Sequence, residues 1–544
     1  MKKICTKLFA PAKKCFFNLR YGARAEKQEA VLSIFSWCLF LFVLAGVSVY
    51  TIFSYRAEFH SDAATAAMIA PFQIKEGKLF LDEWRYSQDF WPFFIFNPVV
   101  ALKPIVHTDY LATQVSVLIQ TLLVVLLTML LLRKVCKSNL NILICCLIFS
   151  IGSAGIWIGP LFGQGQYGNV ILWVLLGIWL TLACIHADKP WKRYTLLAIL
   201  GLLVAYLNST GVRYLPFFVA PMIVALAAKI MLETDKQMRK RCLWAIGSIV
   251  VGTLAGHMAF RALCERYHFS AGTAGSTMLA SRDVVNNIPE VLYSFLTLAG
   301  GPKSGTKLAS LGGMIYLYTF FAFCLLAILP IWIGIRFCRR KMWNVKPDAF
   351  ILVVFFLVVT AISLISVLMT SLDHTGRYLI VAIYSGFLLL PILLEKLEGQ
   401  IGRKFVALVL TIPLVFYGMF SLNKSLGEPR SEDKVIACLK ENDLQVGYAD
   451  FWVADKFTVL SNHEVEIAHV DLKNMVPSLF MSCPEQYQDV EHDRYFLLLR
   501  GTDIEAVNQS PVAEYMGEPK EILTCEPYEI WVYDKPFYGS FPDW

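Results

Sequence analysis

Apolar side chains run along most of this chain in stretches of roughly twenty residues, broken by short polar turns. The stretches lie at about 31–53, 111–132, 139–158, 170–187, 194–208, 214–232, 242–262, 309–335, 349–371, 378–395 and 405–422. Most are long enough to cross a hydrocarbon core about 30 Å thick. The stretch at 194–208 is short, and it pairs with 214–232 through the turn Asn208-Ser209-Thr210-Gly211-Val212-Arg213-Tyr214. The pattern predicts a polytopic α-helical membrane protein of about eleven transmembrane helices.

Beyond residue 422 the period changes. Helical spacing at Ser431–Leu444 and Phe451–Leu460 alternates with strand-like stretches at Gln445–Ala449, Glu464–Val470, Tyr495–Leu499 and Tyr528–Tyr533. That alternation predicts a small α/β domain over 423–544. It follows a transmembrane domain over 31–422 and a basic N-terminal segment over 1–30.

Charge orients these parts. Lys and Arg cluster near the N-terminus and again at 133–137, 189–193, 236–241, 336–346 and 396–404, each cluster separated from the next by paired apolar runs. Cytoplasmic loops carry such clusters, so the N-terminus is expected inside and the C-terminus outside. The first run is full span length and lacks a clear cleavage site, which predicts a retained helix rather than a secretory signal. After Leu422 there are 23 Asp and Glu against 10 Lys and Arg, the reverse of the rest of the chain. That acidity argues against nucleic acid as a partner. Composition agrees with the membrane class: 56% hydrophobic and 17% charged, against roughly 45–50% apolar in soluble domains. Most cysteines lie inside apolar runs, while Cys438, Cys483 and Cys525 fall in the C-terminal region, where one disulfide is expected if that region is outside.

Candidate chemistry gathers in the first outer loop, 54–110. Phe59-His60-Ser61-Asp62-Ala63-Ala64 places a carboxylate where the first helix meets water, an expensive position unless the group is used or solvated. Ser61 and Asp62 could instead cap the helix that Ala63–Ala70 favours. Further along, Asp82, Glu83, Arg85 and Asp89 are interleaved with Trp, Tyr and Phe, as in a sugar-binding cleft or an interfacial aromatic belt. Two further outer turns, Gly211-Val212-Arg213-Tyr214 and Gly376-Arg377-Tyr378, put an arginine at head-group depth. Arginine there suits bidentate phosphate binding or snorkelling to ordinary lipid phosphates. Gly163-Gln164-Gly165-Gln166-Tyr167-Gly168 matches the dinucleotide fingerprint, but it lies between two spans without a βαβ context, so a tight turn is expected.

With these residues in place, the chain resembles the GT-C superfamily of polyprenyl-phosphate-sugar-dependent glycosyltransferases, including bacterial mannosyl- and aminoarabinosyltransferases. The resemblance lies in an acid directly after the first span, a long first outer loop, a late Gly-Arg-Tyr turn and a soluble C-terminal domain. It implies a hexosyl- or pentosyltransferase, multi-pass in the inner (plasma) membrane, with its C-terminal domain extracytoplasmic (periplasmic). It implies a lipid-linked sugar as donor and a glycan, lipid or protein of the cell envelope as acceptor. Asp62 takes the role of catalytic carboxylate by this resemblance, and Arg377, with Arg213, that of donor-phosphate ligand. His60, Asp82, Glu83, Arg85, Asp89 and Tyr378 are candidate substrate contacts. Many members carry Asp-Glu where this chain has Asp62-Ala63, so the resemblance does not carry over the role of that glutamate, metal binding included; no cofactor is the first expectation and a divalent metal the alternative, with Asp82, Glu83 or Asp89 as sources of a second acid. A lipid or polysaccharide transporter (flippase) and a glycan polymerase or ligase are the alternative expectations.

Overall fold

The computed structural model describes residues 24–87, 99–135, 142, 146, 149, 159–269, 276–298, 305, 307–339, 347–372, 376–390, 401–488 and 492–541. The expected span at 139–158 and the second half of that at 378–395 lie mostly outside these residues. Helices form at the other predicted spans: α1 (Arg24–Ile52), then α2 (Ser61–Glu76) in the first loop, α3 (Asp109–Val135), α4 (Gln166–Ile185) and α5 (Pro190–Asn208). They continue with α6 (Ala220–Leu232), α7 (Lys236–Arg266), the amphipathic α8 (Ser281–Leu298), α9 (Leu311–Arg339), α10 (Pro347–Met369), α11 (Ile380–Phe387) and α12 (Ile401–Leu422). Among the described residues, seven helices are long and apolar enough to cross a membrane.

The short α5 is held by close backbone packing. Gly252 and Gly256 on α7 form a GxxxG pair, and a Cβ at either would stand 2.5 Å from the Gly201 carbonyl oxygen or 2.3 Å from that of Ala205. Small residues at this spacing let two helices approach where no hydrophobic drive separates protein from lipid. Ser248 Oγ donates to the Leu197 carbonyl at 2.7 Å across the same seam.

The C-terminal region folds as expected in outline. Helix α13 (Ser431–Glu441) leads to β3 (Val446–Ala449), α14 (Phe451–Leu460) and β4 (Glu466–Asp471). The six-stranded sheet runs β5-β4-β3-β6-β8-β7, with β5 at Val476–Pro477, β6 at Tyr495–Arg500, β7 at Glu521–Cys525 and β8 at Tyr528–Tyr533. Strand β3 is parallel to both β4 and β6. Strands β1 (Arg85–Tyr86) and β2 (His268–Phe269) form a separate parallel pair at the rim of the bundle. Cys438 on α13 is disulfide-bonded to Cys525 on β7, with Cα atoms 6.6 Å apart across 87 residues of sequence. Closing a loop of that length removes about 4–5 kcal/mol of chain entropy from the unfolded state. Cys483 remains a buried free thiol.

The composition break at 423 is not a break in packing. Val453, Ala454 and Phe457 of α14 belong to the same buried cluster as span residues such as Val47 and Leu131. Arg56 pairs with Asp433 at 2.6 Å, Ser54 donates to Asn423 at 2.8 Å, and Arg85 exchanges backbone hydrogen bonds with Met481 and Ser482 at 2.8 Å each. A further latch joins the domain to the start of α3. Asn462 and His463 both sit in the left-handed region, at φ 58° and 63°. The first accepts from the Asp109 backbone N–H at 3.0 Å. The second lies 3.0 Å from the Asp109 carboxylate, which Lys103 also meets at 3.0 Å. Burial opposes a charge on His463, but the carboxylates of Asp109, 3.0 Å from Nε2, and Glu466, 3.7 Å from Nδ1, outweigh it and raise its pKa above 6.5.

A raised pKa on a cation stabilises the fold fully below the unfolded value and loses that contribution as pH rises through the folded value. His463→Gln is therefore expected to destabilise by about 1.5–3 kcal/mol at low pH, the range for hydrogen bonds to charged groups. The difference from wild type should shrink as pH rises through the raised pKa of His463. Unfolding of the detergent-solubilised chain across this range measures it, and a pH-independent difference would rule out the charged latch.

Candidate active site

Helix α1 ends at Ile52 and a 3-10 turn over Ser54–Glu58 redirects the chain along the rim. His60 adopts extended backbone angles, φ −142° and ψ 170°, and stands at the N-cap of α2 without a capping side-chain bond. Its carbonyl accepts from the Ala63 and Ala64 amides at 2.9 and 3.1 Å. Neither Ser61 nor Asp62 is the cap, so the simple capping account of this stretch is replaced. Ala63, Ala64, Ala67 and Ala70 are buried, which lets α14 lie directly against α2.

That contact decides the surroundings of Asp62. Its carboxyl is partly buried and faces charges from two distant parts of the chain, Arg377 and Asp455. Burial is the largest influence and pushes its pKa up; Arg377 pulls it down and Asp455 pushes it up again, leaving it above the usual carboxylate range. Arg377 sits in a 3-10 turn over Gly376–Leu379, with its guanidinium 5.3 Å from the centroid of the Tyr378 ring. Gly376 makes the turn possible, because a Cβ there would stand 2.7 Å from Leu298 Cγ and 2.8 Å from the Ser294 carbonyl oxygen.

Tyr55 closes the other side. Its phenol is held protonated well above its ordinary pKa, first by burial and then by the charges of Glu58, Tyr110 and Asp62. The glycine turn at 163–168 seats it: a Cβ on Gly163 would lie 2.2 Å from the Tyr55 ring, and Gly165 is left-handed at φ 78°. His60 lies 6.4 Å, centroid to centroid, from Trp452. Burial and then Lys456 lower its pKa to about 4, so it stays neutral near pH 7. Lys456 itself is paired with Glu432 at 3.2 Å.

Several polar atoms here are buried yet find no hydrogen-bond partner among the described residues: Tyr55 Oη, His60 Nδ1, Ser61 Oγ and Asp455 Oδ2. Leaving such groups unsatisfied costs about 1–3 kcal/mol each, and their grouping around Asp62 marks a place built to receive a polar ligand. Two residues beyond Arg377, Leu379 lines an apolar cavity of about 240 Å³ with Phe295, Ile328, Pro330, Phe356 and Ile383.

The other expected contacts are placed differently. Asp82 pairs with Lys78 at 2.9 Å and lies 3.9 Å from Arg266, half-exposed; Glu83 is exposed, and Arg85 serves the backbone bridge to Ser482. Asp89 lies outside the described residues. Arg213 stands 5.5 Å over the Tyr167 ring. Among the described residues, the acid whose charge reaches Asp62 is Asp455, from the C-terminal region. The sequence carried a signal for it: Asp455-Lys456 is a charged pair inside a helix whose residues from Val453 to Leu460 are all buried. Among the described residues, no cluster of three His, Cys, Asp or Glu side chains is arranged to hold a metal ion.

No protein-family model matches the chain, and no curated protein matches it. Solved structures do resemble it. The apo oligosaccharyltransferase of Archaeoglobus fulgidus is 12% identical over 83% of this chain and 65% of its own, with a TM-score of 0.47. The same archaeal enzyme, AglB, in complex with an inhibitory peptide and a dolichol-phosphate, is 13% identical over the same shares, at 0.45. ArnT from Cupriavidus metallidurans in the apo state is 10% identical over 90% of this chain and 97% of its own, at 0.45. The chain spans just under two thirds of the oligosaccharyltransferase's length. Likenesses this distant carry neither substrate nor mechanism to this chain. What the chain is similar to, at this distance, is an archaeal oligosaccharyltransferase and ArnT.

Proposed function

We propose that the chain is a glycosyltransferase that moves a sugar from a polyprenyl-phosphate donor to a cell-envelope acceptor at the outer face of the membrane. The observation that carries this reading is that Asp62 lies within electrostatic reach of Arg377, near buried polar atoms that lack partners among the described residues and with an apolar cavity reaching Leu379. A lipid phosphate needs that combination: an apolar passage for its chain and a guanidinium at the depth of its head group. In this reading about eleven spans run from a cytoplasmic N-terminus to an extracytoplasmic domain over 423–544, and the Cys438–Cys525 disulfide fits an oxidising compartment.

Asp62 takes the proton of an acceptor hydroxyl as that oxygen attacks the anomeric carbon. The bond from that carbon to the phosphate oxygen breaks, the centre inverts, and polyprenyl phosphate leaves with its added negative charge on Arg377. Charge that develops only in the transition state is where a preorganised guanidinium contributes most. Tyr55, kept protonated, and His60, kept neutral, offer hydrogen bonds to sugar hydroxyls without adding charge.

Mass spectrometry of lipid-linked sugars in a strain lacking the chain tests the reading. Accumulation of one polyprenyl-monophosphate sugar, cleared when the chain is restored, is the expected result. Accumulation of a diphosphate-linked glycan would replace it with a polymerase or ligase. Lipid movement without sugar transfer in reconstituted vesicles would replace it with a flippase.

A further inference from the structure

The buried pair Asp455 and His469 has no evident structural duty that a nonpolar pair could not perform. Asp455 and His469 are each 1% exposed. Asp455 lies on α14 and His469 on β4, two elements joined directly by a βαβ crossover from β3. Burying ionisable groups without a full set of partners is destabilising, and here the set is incomplete.

The hydrogen bonds of His469 fix where its protons are. Nε2 lies 2.8 Å from the Phe480 carbonyl oxygen, which can only accept, so Nε2 carries a hydrogen. Nδ1 lies 3.3 Å from Asp455 Oδ1. A bare nitrogen lone pair facing a bare carboxylate would repel, so one proton is shared between them, as imidazolium with carboxylate or imidazole with carboxylic acid. The second oxygen, Asp455 Oδ2, is buried and has no hydrogen-bond partner among the described residues. The same carboxyl is within electrostatic reach of Asp62 on the facing helix α2.

We infer that Asp455 is the second carboxylate of the active site, its free Oδ2 binding and orienting the acceptor beside Asp62, while His469 holds the proton that keeps the two acids from repelling each other. This inference rests on the glycosyltransferase reading above. It gives the C-terminal region a direct part in the reaction: without α14 seated on α2, the acceptor site is half built. It also explains how a chain with Ala63 after Asp62 obtains a second acid. No proton is consumed by the pair. The acceptor proton still goes to Asp62, and Asp455 acts by position.

The titratable and charged groups within electrostatic reach of Asp455 are Asp62 on α2 and Tyr487 from the C-terminal region, and Arg377 lies within reach of Asp62 in turn. Deprotonated Asp62 is the active form, so the rate falls on the acid side as Asp62 takes up a proton. Replacing Asp455 by Asn removes the acid that raises the Asp62 pKa, and the acid limb should move to lower pH. Replacing His469 by Gln leaves Asp455 as an unshielded carboxylate, and the limb should move to higher pH. Structural damage alone has no reason to shift the limb in opposite directions.

The experiment uses the full-length chain in vesicles, with radiolabelled polyprenyl-phosphate sugar of the accumulating kind and envelope membranes from the deletion strain as acceptor. Transfer is measured against pH and acceptor concentration, and binding of polyprenyl phosphate is measured separately. For Asp455→Asn the expected result is a loss of roughly 10–100-fold in transfer, scaled from the lower range for a positioned catalytic group. The apparent acceptor KM should rise and polyprenyl-phosphate binding should stay within about twofold, because the arginine that binds it is untouched. The two variants should show acid limbs displaced in opposite directions. A profile superimposable on wild type overturns the inference while leaving the functional reading intact. So does a loss of transfer matched by an equal loss of polyprenyl-phosphate binding. Absence of transfer by the wild-type chain overturns both.

Discussion

Asp62→Asn should lower sugar transfer by about 10²–10⁴-fold, the range for removing a general base, with little change in donor binding. The amide fills nearly the same volume and can still accept a hydrogen bond through its oxygen, so packing against α14 survives. What it cannot do is take a proton from the attacking hydroxyl. The pH dependence should report the same group. Because burial holds the Asp62 pKa above the usual carboxylate range, kcat/KM of the wild type should fall as pH drops through that raised value. The fall should begin at a higher pH than for an exposed aspartate near 3.9. Assay of the variant in membranes with radiolabelled polyprenyl-phosphate sugar checks it, and full transfer by the variant would remove Asp62 from the mechanism.

Arg377→Gln should act on two quantities at once. Losing a preorganised positive group at the leaving phosphate should cost about 10²–10³-fold in kcat, and polyprenyl-phosphate binding should weaken as well. The guanidinium also lowers the Asp62 pKa, so its removal should move the acid limb of kcat/KM further upward in pH. Lysine should rescue little of the phosphate binding, since a point charge lacks the planar fork that grips two oxygens. It should, however, restore part of the acid limb, because the positive charge returns near Asp62. An Arg377→Gln variant with unchanged donor binding and an unmoved acid limb would show that this arginine only anchors the turn to the bilayer.

The first-loop acid and the late arginine were both legible in the sequence because their positions are local facts. Each sits where an apolar run ends, and a charged group at that boundary stands out against twenty apolar neighbours. Helix α14 was legible in its bounds for the same reason, as Phe451–Leu460 has a clear helical period. Asp82 is half-exposed and pairs with Lys78 four residues away, while the acid whose charge reaches Asp62, Asp455, comes from almost four hundred residues downstream. The capping account of Ser61 and Asp62 failed on one backbone detail, the extended angles of His60 that move the cap one residue earlier. Side-chain composition does not specify that angle.

By itself, then, the sequence determined most of the apolar helices, the break in composition near 423 and the position of Asp62 just after the first apolar run. These are properties of periods and local charge, which any window of about twenty residues contains. Tertiary structure alone decided that α14 packs against α2, that His469 Nδ1 stands 3.3 Å from Asp455 Oδ1, and that Asp62 and Arg377 come within electrostatic reach of each other. Those depend on long-range contacts set by helix packing, by the close approach at Gly376 and by the crossover that carries β4 beside β3. No local pattern encodes such meetings, because each requires two distant segments to bury their faces against each other at once.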